Sequence, residues 1–68
     1  MYLLTDEQET AIIAYTRRIK NVRKRHYACA FADFVASGGP EPVSGNLSAM
    51  AAQGVRMSIL EIAKGGAK

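Results

Sequence analysis

One segment rich in glycine and proline, residues 38–46 (GGPEPVSGN), sets the outline of the fold. Glycine and proline both end helices, so this segment predicts a break between two helical stretches. Neither residue type interrupts residues 5–37, which predict the first helix. Residues 46–64 predict the second helix, and residues 38–45 form the linker. No strand-like alternation stands out, so we expect an all-α helical hairpin, with residues 1–68 as one domain.

The ends of both helices carry capping signals. Thr5 and Gln8 stand at the spacing of a capping box, in which each side chain bonds the backbone N–H of the other residue. Gly38 is suited to end the first helix, because glycine adopts the left-handed conformation without a Cβ clash. Ser44 or Asn46 is expected to cap the second helix.

The chain is short for the apolar surface that it carries, because 49% of its 68 residues are hydrophobic. A first helix of the full predicted length would measure about 48 Å, so we expect a kink near residues 26–30. A chain of this size usually needs a disulfide, a metal or a partner to be stable. One cysteine, Cys29, and one histidine, His26, allow neither an intramolecular disulfide nor a zinc site, and we expect no cofactor. We therefore predict a homodimer with a four-helix arrangement.

The seam of this dimer is predicted from apolar residues at helical spacing. In the second helix, Gly54 costs about 1 kcal/mol relative to alanine, so we expect another backbone to pack closely there. The arrangement resembles that of small plasmid- or phage-encoded regulators such as Rop, in the pattern of its helices. The residues predicted for the dimer or core seam are Ile12, Tyr15, Ile19, Val22, His26, Leu47, Met50, Gly54 and Ile62.

Six of the nine lysines and arginines fall within residues 17–25. On a helical wheel most of them lie opposite the apolar seam, while Arg23 points toward it. Such a face can follow a phosphate backbone, and Asn21 can contact a base edge. It can equally be a solvated helix face or dock on an acidic protein surface. The residues of this face predicted to bind a protein partner or nucleic acid are Arg17, Arg18, Lys20, Asn21, Lys24 and Arg25.

A second apolar strip, formed by Ile13, Phe31 and Val35, points away from the main seam. Either the second helix packs on this strip, or the strip fills an apolar groove of a target protein. We favour a small regulatory or inhibitory protein that binds an unidentified protein target through its first helix and occludes a surface of that target. The alternative function is nucleic-acid binding by a dimer through the basic face of the same helix.

No motif of a known catalytic class stands out. His26 and Cys29 are neighbours on one helix, but no third group orients them, so we interpret both as seam residues. Asp33 is explained by pairing with Arg23 or His26 of an antiparallel partner subunit. Residues 50–60 are similar to the turn of a helix-turn-helix, yet the positions that would read DNA offer almost nothing to base edges. We therefore expect a protein without enzymatic activity.

The sequence also bears on localisation. It opens with MYLLTDEQET, which lacks the basic and apolar regions of a secretory signal. No stretch of 18 apolar residues predicts a membrane span, so we expect no membrane partner. A single free cysteine is typical of reducing compartments, and we expect a cytoplasmic protein.

Overall fold

The computed structural model describes residues 3–65, and these residues form three helices and no strand. Helix α1 spans Asp6–Arg18, helix α2 spans Val22–Ser37 and helix α3 spans Ala49–Ala63. The all-helical prediction is confirmed for this part of the chain. A kink was expected near residues 26–30, but these residues lie within α2, and the chain breaks before that helix begins.

The break between α1 and α2 is stabilised by side chains rather than by glycine or proline. Ile19 leaves the helical conformation, with φ −76° and ψ 120°. Asn21 is the N-cap of α2, and its Oδ1 accepts a hydrogen bond of 2.9 Å from the backbone N–H of Lys24. Arg25 Nη1 donates to the carbonyl of Ile19 at 3.1 Å and so ties α2 to the end of α1. The prediction of one continuous helix over residues 5–37 is therefore wrong, and three helices replace the predicted two.

Two predicted helix ends are confirmed. The Thr5 Oγ1 accepts from the backbone N–H of Gln8 at 3.1 Å, and the Gln8 Oε1 accepts from the backbone N–H of Thr5 at 2.8 Å. Gly38 ends α2 in the left-handed conformation, with φ 78° and ψ 22°. Its N–H donates to the carbonyl of Phe34 at 2.8 Å, which satisfies one of the free carbonyls at the helix end.

Helix α3 begins later than predicted, because the residues before it form a turn. Gly45 adopts a left-handed conformation with φ 63°, which interrupts any helix beginning at Ser44 or Asn46. Ser48 is the N-cap instead, and its Oγ accepts from the backbone N–H of Ala51 at 3.1 Å. Neither residue expected to cap this helix does so.

The core lies where the three helices meet, and all three pairs of helices are in contact. In α2 and α3 the buried residues recur at steps of three and four, as expected of helices that face a common core. Ile59, Val35 and Val55 are the largest of the fully buried side chains. The buried apolar residues are Ile12, Tyr27, Ala28, Phe31, Val35, Ala52, Val55, Ile59 and Ala63.

The predicted seam coincides with this core only in part. The three residues between α1 and α2 change the direction of the chain, so positions that would share one face of a continuous helix are separated. Ile12 is buried, and partial burial is found for Tyr15, Ile19, Leu47 and Ile62. Exposed positions are Val22, His26, Met50 and Gly54.

Gly54 does not have the role expected of it. It lies in the middle of α3, and a Cβ added there would meet nothing within 4 Å. Close packing therefore does not explain this glycine within one chain. The helix also runs through residues 50–60 without interruption, so the similarity to a helix-turn-helix at this segment is not a structural one.

Two polar contacts connect residues far apart in the sequence. Gln8 Nε2 donates to the carbonyls of Ile62 and Ala63, both at 3.1 Å, and joins the first turn of α1 to the last turn of α3. Arg56 Nη1 donates to the Tyr27 hydroxyl at 3.0 Å and joins α3 to α2. Each satisfies polar groups that the packing of the helices partly buries.

Candidate nucleic-acid interface

The break between α1 and α2 gathers the basic stretch at one corner of the molecule. Arg17 and Arg18 lie in the last turn of α1, Lys20 lies in the connection, and residues 23–25 are all basic and begin α2. On one continuous helix these cations would extend along a line. Here the chain changes direction at residues 19–21, so the six cations lie on either side of that connection or within it.

The cations at this corner face three different directions. Arg18, Lys20 and Lys24 line a pocket of about 390 Å³ together with Tyr15, Ile19 and Asn21. Arg17 and Arg25 line a separate groove between α1 and α2. Arg23 lines a third depression, beside His26. We call the cations of the first group, Arg18, Lys20 and Lys24, the basic corner.

The basic corner includes the first turn of α2, where the helix dipole is positive. Helix α1 follows the favourable rule, with Asp6, Glu7 and Glu9 in its first turn. Helix α2 does the opposite, because its first turn has no acidic residue and residues 23–25 are basic. Cations at this end oppose the dipole and weaken the helix by about 0.3–1 kcal/mol each. An anion bound here would remove that repulsion and would also meet N–H groups at the helix end.

Two residues predicted to bind a partner, Asn21 and Arg25, make hydrogen bonds that stabilise the fold. The Oδ1 of Asn21 caps α2, so the side chain cannot offer both its amide groups to an adenine edge. Arg25 is partly buried and holds the carbonyl of Ile19. Asn21 is therefore not free to read a base edge, whereas Arg25 has one nitrogen of its guanidinium engaged within the chain and others that can still donate. The exposed cations of the basic corner are Arg18 and Lys20, and Lys24 is partly buried.

The second apolar strip is not a surface. Phe31 and Val35 are only 2% and 1% exposed, because α3 packs against α2 there. The prediction that these two side chains bind a target is therefore wrong for this fold, and packing of a second helix, the other interpretation of the strip, is what occurs. Ile13 remains on the surface, 49% exposed, in the groove between α1 and α2.

His26 and Cys29 do not form a joint site. Both are exposed, but His26 lines the depression beside Arg23 whereas Cys29 lines the groove between α1 and α2. Among residues 3–65 no cluster of three or more His, Cys, Asp or Glu side chains is placed to hold a metal ion. The two residues thus line different depressions, although their spacing makes them neighbours on the surface of α2.

A search of the described helices finds none that is both long and apolar enough to cross a membrane. Comparison of the chain with models of known protein families, with curated proteins and with solved structures gives no match. The site must therefore be interpreted from its own residues. Sequence reasoning identified the cations but missed Tyr15 and Ile19 as walls of the basic pocket, since both had been assigned to the seam.

Proposed function

We propose that the protein is a non-enzymatic nucleic-acid-binding protein, and that its basic corner contacts the phosphate backbone. The supporting observation is the grouping of Arg18, Lys20 and Lys24 around one pocket, at a helix N-terminus that carries no acidic residue. Each phosphate neutralised by such a cation releases counterions, and this release drives binding.

Binding of this kind is tolerant of sequence. Lysine and arginine contacts to phosphates position a protein without reading bases. Asn21, the one amide in the pocket that is suited to a base edge, is engaged in capping α2. We therefore expect similar affinities for unrelated sequences of equal length.

The alternative function predicted from the sequence, occlusion of an unidentified protein target, has less support. That proposal placed three apolar side chains beside the cations, and two of them, Phe31 and Val35, belong to the core. Ile13 is the one side chain of the strip that stays exposed, so most of the surface that was to occlude a target lies inside the fold. Binding to a phosphate backbone depends on the cations and does not require an apolar groove, so the burial of Phe31 and Val35 does not weaken this proposal.

We further propose that the protein functions as a homodimer in the cytoplasm. The one cysteine suits a reducing compartment. A 68-residue chain has a small core, and large apolar side chains such as Ile13, which is 49% exposed, remain on its surface. Two copies would also double the number of cations that one nucleic acid can contact.

The experiment is a fluorescence anisotropy titration with labelled duplex DNA and duplex RNA of two unrelated sequences, over about 50–200 mM salt. The test variant is Arg18→Ala/Lys20→Ala/Lys24→Ala. We expect it to lose most of the binding and to flatten the plot of log K against log salt by about 2.7 for each chain, because the slope on DNA is about −0.9 for each phosphate contact.

The matched control is Arg23→Glu/Lys64→Ala, which lowers the formal charge by the same three units at exposed positions outside both the basic corner and the groove between α1 and α2. We expect it to bind more tightly than the test variant by on the order of tenfold. The proposal is wrong if the unmodified protein does not bind at low salt. Equal losses in the two variants would show that net charge alone, and not the basic corner, causes the binding.

A further inference from the structure

The groove between α1 and α2 opens on the side of the molecule away from α3. It has a volume of about 480 Å³, and every residue that lines it comes from α1 or α2. Ile12 and Thr16 are buried at its base, whereas Ile13 and Cys29 are exposed at its middle. The lining of the groove is Glu9, Ile12, Ile13, Thr16, Arg17, Arg25, Cys29, Ala32, Asp33 and Ala36.

The two ends of this groove carry opposite charges. Helix α1 contributes Glu9, Ile13 and Arg17, each four residues after the last, and so on one face of the helix. Helix α2 contributes Arg25, Cys29 and Asp33 at the same spacing. Because Glu9 and Asp33 line the same groove, the start of α1 lies beside the second half of α2, whereas Arg17 and Arg25 flank the connection at residues 19–21. Both arginines therefore lie at the end near the connection, and both carboxylates lie at the other end.

We propose that this face is the self-association surface of the protein and that its occupant is a second copy of the same chain. The inference rests on the homodimer stated as part of the proposed function. A two-fold dimer buries the same patch of both subunits, so the patch must be complementary to itself. A face with a positive end, an apolar middle and a negative end has this property.

The charges also select the direction of the two-fold axis. When two such faces pack together, the axis lies in the plane between them. An axis parallel to the helices would place Arg17 opposite the partner subunit's Arg25, and Glu9 opposite the partner subunit's Asp33, which is repulsive. An axis across the helices instead places Arg17 opposite the partner subunit's Glu9, and Arg25 opposite the partner subunit's Asp33. The second direction makes all four pairs attractive.

In this dimer the middle of the face lies on the axis, so Ile13 meets the partner subunit's Ile13 and Cys29 meets the partner subunit's Cys29. The side chains at positions 29, 32 and 36 are small, which lets the two α2 helices approach closely. The pairing of Asp33 with Arg23 or His26 expected from the sequence is revised to Arg25, because Arg25 lines the same groove as Asp33 whereas Arg23 and His26 line a different depression. The basic corner stays open in both subunits.

The first test is the mass of the intact chain under reducing conditions, measured by sedimentation equilibrium from low to high micromolar concentration. We expect a dimer of two 7.3 kDa chains. The single variants Arg17→Glu and Glu9→Arg each place like charges opposite one another twice, and we expect each to weaken the dimer by on the order of tenfold or more. The double variant Glu9→Arg/Arg17→Glu restores opposite charges, so we expect it to recover the dimer.

The matched controls are Arg18→Glu and Glu7→Arg, which reverse exposed charges on the same helix outside the groove. We expect both to remain dimeric, with circular dichroism confirming that every variant stays helical. A monomeric mass at all concentrations would overturn the homodimer and this inference together. If the protein forms a stable dimer whose affinity is unchanged in the single groove variants, the assignment of this face alone is wrong. The same conclusion follows if the double variant does not recover the dimer.

The second test uses Cys29 as a probe of the axis. Copper–phenanthroline with dissolved oxygen removes two electrons and two protons from a pair of thiols and leaves one disulfide between chains. We expect rapid cross-linking of the unmodified chain at concentrations where it is dimeric. The control variant Cys29→Ser/Ala30→Cys moves the thiol to an exposed neighbour on the other side of α2, and we expect it to cross-link far more slowly. Equal cross-linking rates in the two proteins would show that the two-fold axis does not pass beside Cys29 and would refute the proposed dimer geometry.

Discussion

The side chain of Gln8 makes three hydrogen bonds, and its replacement gives a sharp test of how the helices are held together. Its Oε1 accepts from the backbone N–H of Thr5, and its Nε2 donates to the carbonyls of Ile62 and Ala63. A typical hydrogen bond contributes about 0.5–1.5 kcal/mol to stability, and the exposed bond to Thr5 belongs at the lower end of this range. We expect Gln8→Ala to destabilise the protein by about 2–3 kcal/mol. A core of this size supplies about 3–5 kcal/mol, so about two fifths or more of the stability would be lost.

The variant Gln8→Glu separates the two roles of this residue. Glutamate is as good as glutamine in a capping box, so helix α1 alone would not be affected. The carboxylate has no proton to donate at neutral pH, however, and it would face the carbonyls at the negative end of α3. We therefore expect Gln8→Glu to be at least as destabilising as Gln8→Ala, with a fall in melting temperature of about 10–20 °C for a domain of this length.

The assay is urea unfolding followed by circular dichroism at 222 nm, with the slope of the transition checked for constancy. The control is Gln53→Glu on the exposed face of α3, which we expect to stay within about 0.5 kcal/mol of the unmodified protein. If Gln8→Glu is as stable as the unmodified protein, the contact between α1 and the end of α3 does not hold the fold together, and Gln8 acts only as a helix cap.

Two further predictions concern the core and the end of α2. Ile59 is fully buried, so Ile59→Ala should lower the free energy of unfolding by about 2–5 kcal/mol and leave the chain largely unfolded at room temperature. Met57→Ala, at an exposed position of the same helix, should leave the circular dichroism spectrum and the urea midpoint almost unchanged. Gly38→Ala should lower the free energy of unfolding in urea by about 1–2 kcal/mol, because Gly38 has φ 78°. Gly39→Ala should be close to neutral, because φ is not positive there and an added Cβ meets nothing within 4 Å. Equal effects at the two glycines would contradict the assigned role of Gly38 as the helix cap.

The elements that depend on local chemistry were predictable from the sequence. Thr5 and Gln8 form the expected capping box, and Gly38 ends a helix in the expected conformation. Each of these features depends on residues within four positions of one another, so no knowledge of the rest of the fold was required. The location of the segment between the last two helices follows from the same kind of signal.

The break at residues 19–21 was not predictable in this way. Asparagine is a good helix cap but only a slightly unfavourable residue inside a helix, and no glycine or proline lies nearby. What favours the break is the burial that it permits, because a bent chain brings α1, α2 and α3 around one core. Phe31 and Val35 illustrate the result. On a continuous helix they seemed to form a separate strip, but on α2 they belong to the buried face.

The candidate site was likewise predictable from the sequence only in part. The grouping of cations within residues 17–25 is visible in the sequence. Their distribution over three sides of the molecule depends on the break, so a helical wheel drawn through the break assigned Arg17 and Lys24 to one face although they line different depressions. The opposed charges of the groove were likewise hidden, because Glu9 and Asp33 come together only after α1 and α2 fold against each other.

The bond between Gln8 and the last turn of α3 makes the fold nearly circular, since it brings residues 54 and 55 positions apart into contact. A flexible peptide connecting the start of α1 to the end of α3 would then strain neither helix, and new termini opened in the exposed stretch at residues 39–41 would leave all three helices whole. Such a circular permutant would keep the core and would bring α3 before α1 in the order of synthesis. The order in which the helices leave the ribosome could thus be separated from the structure that they form.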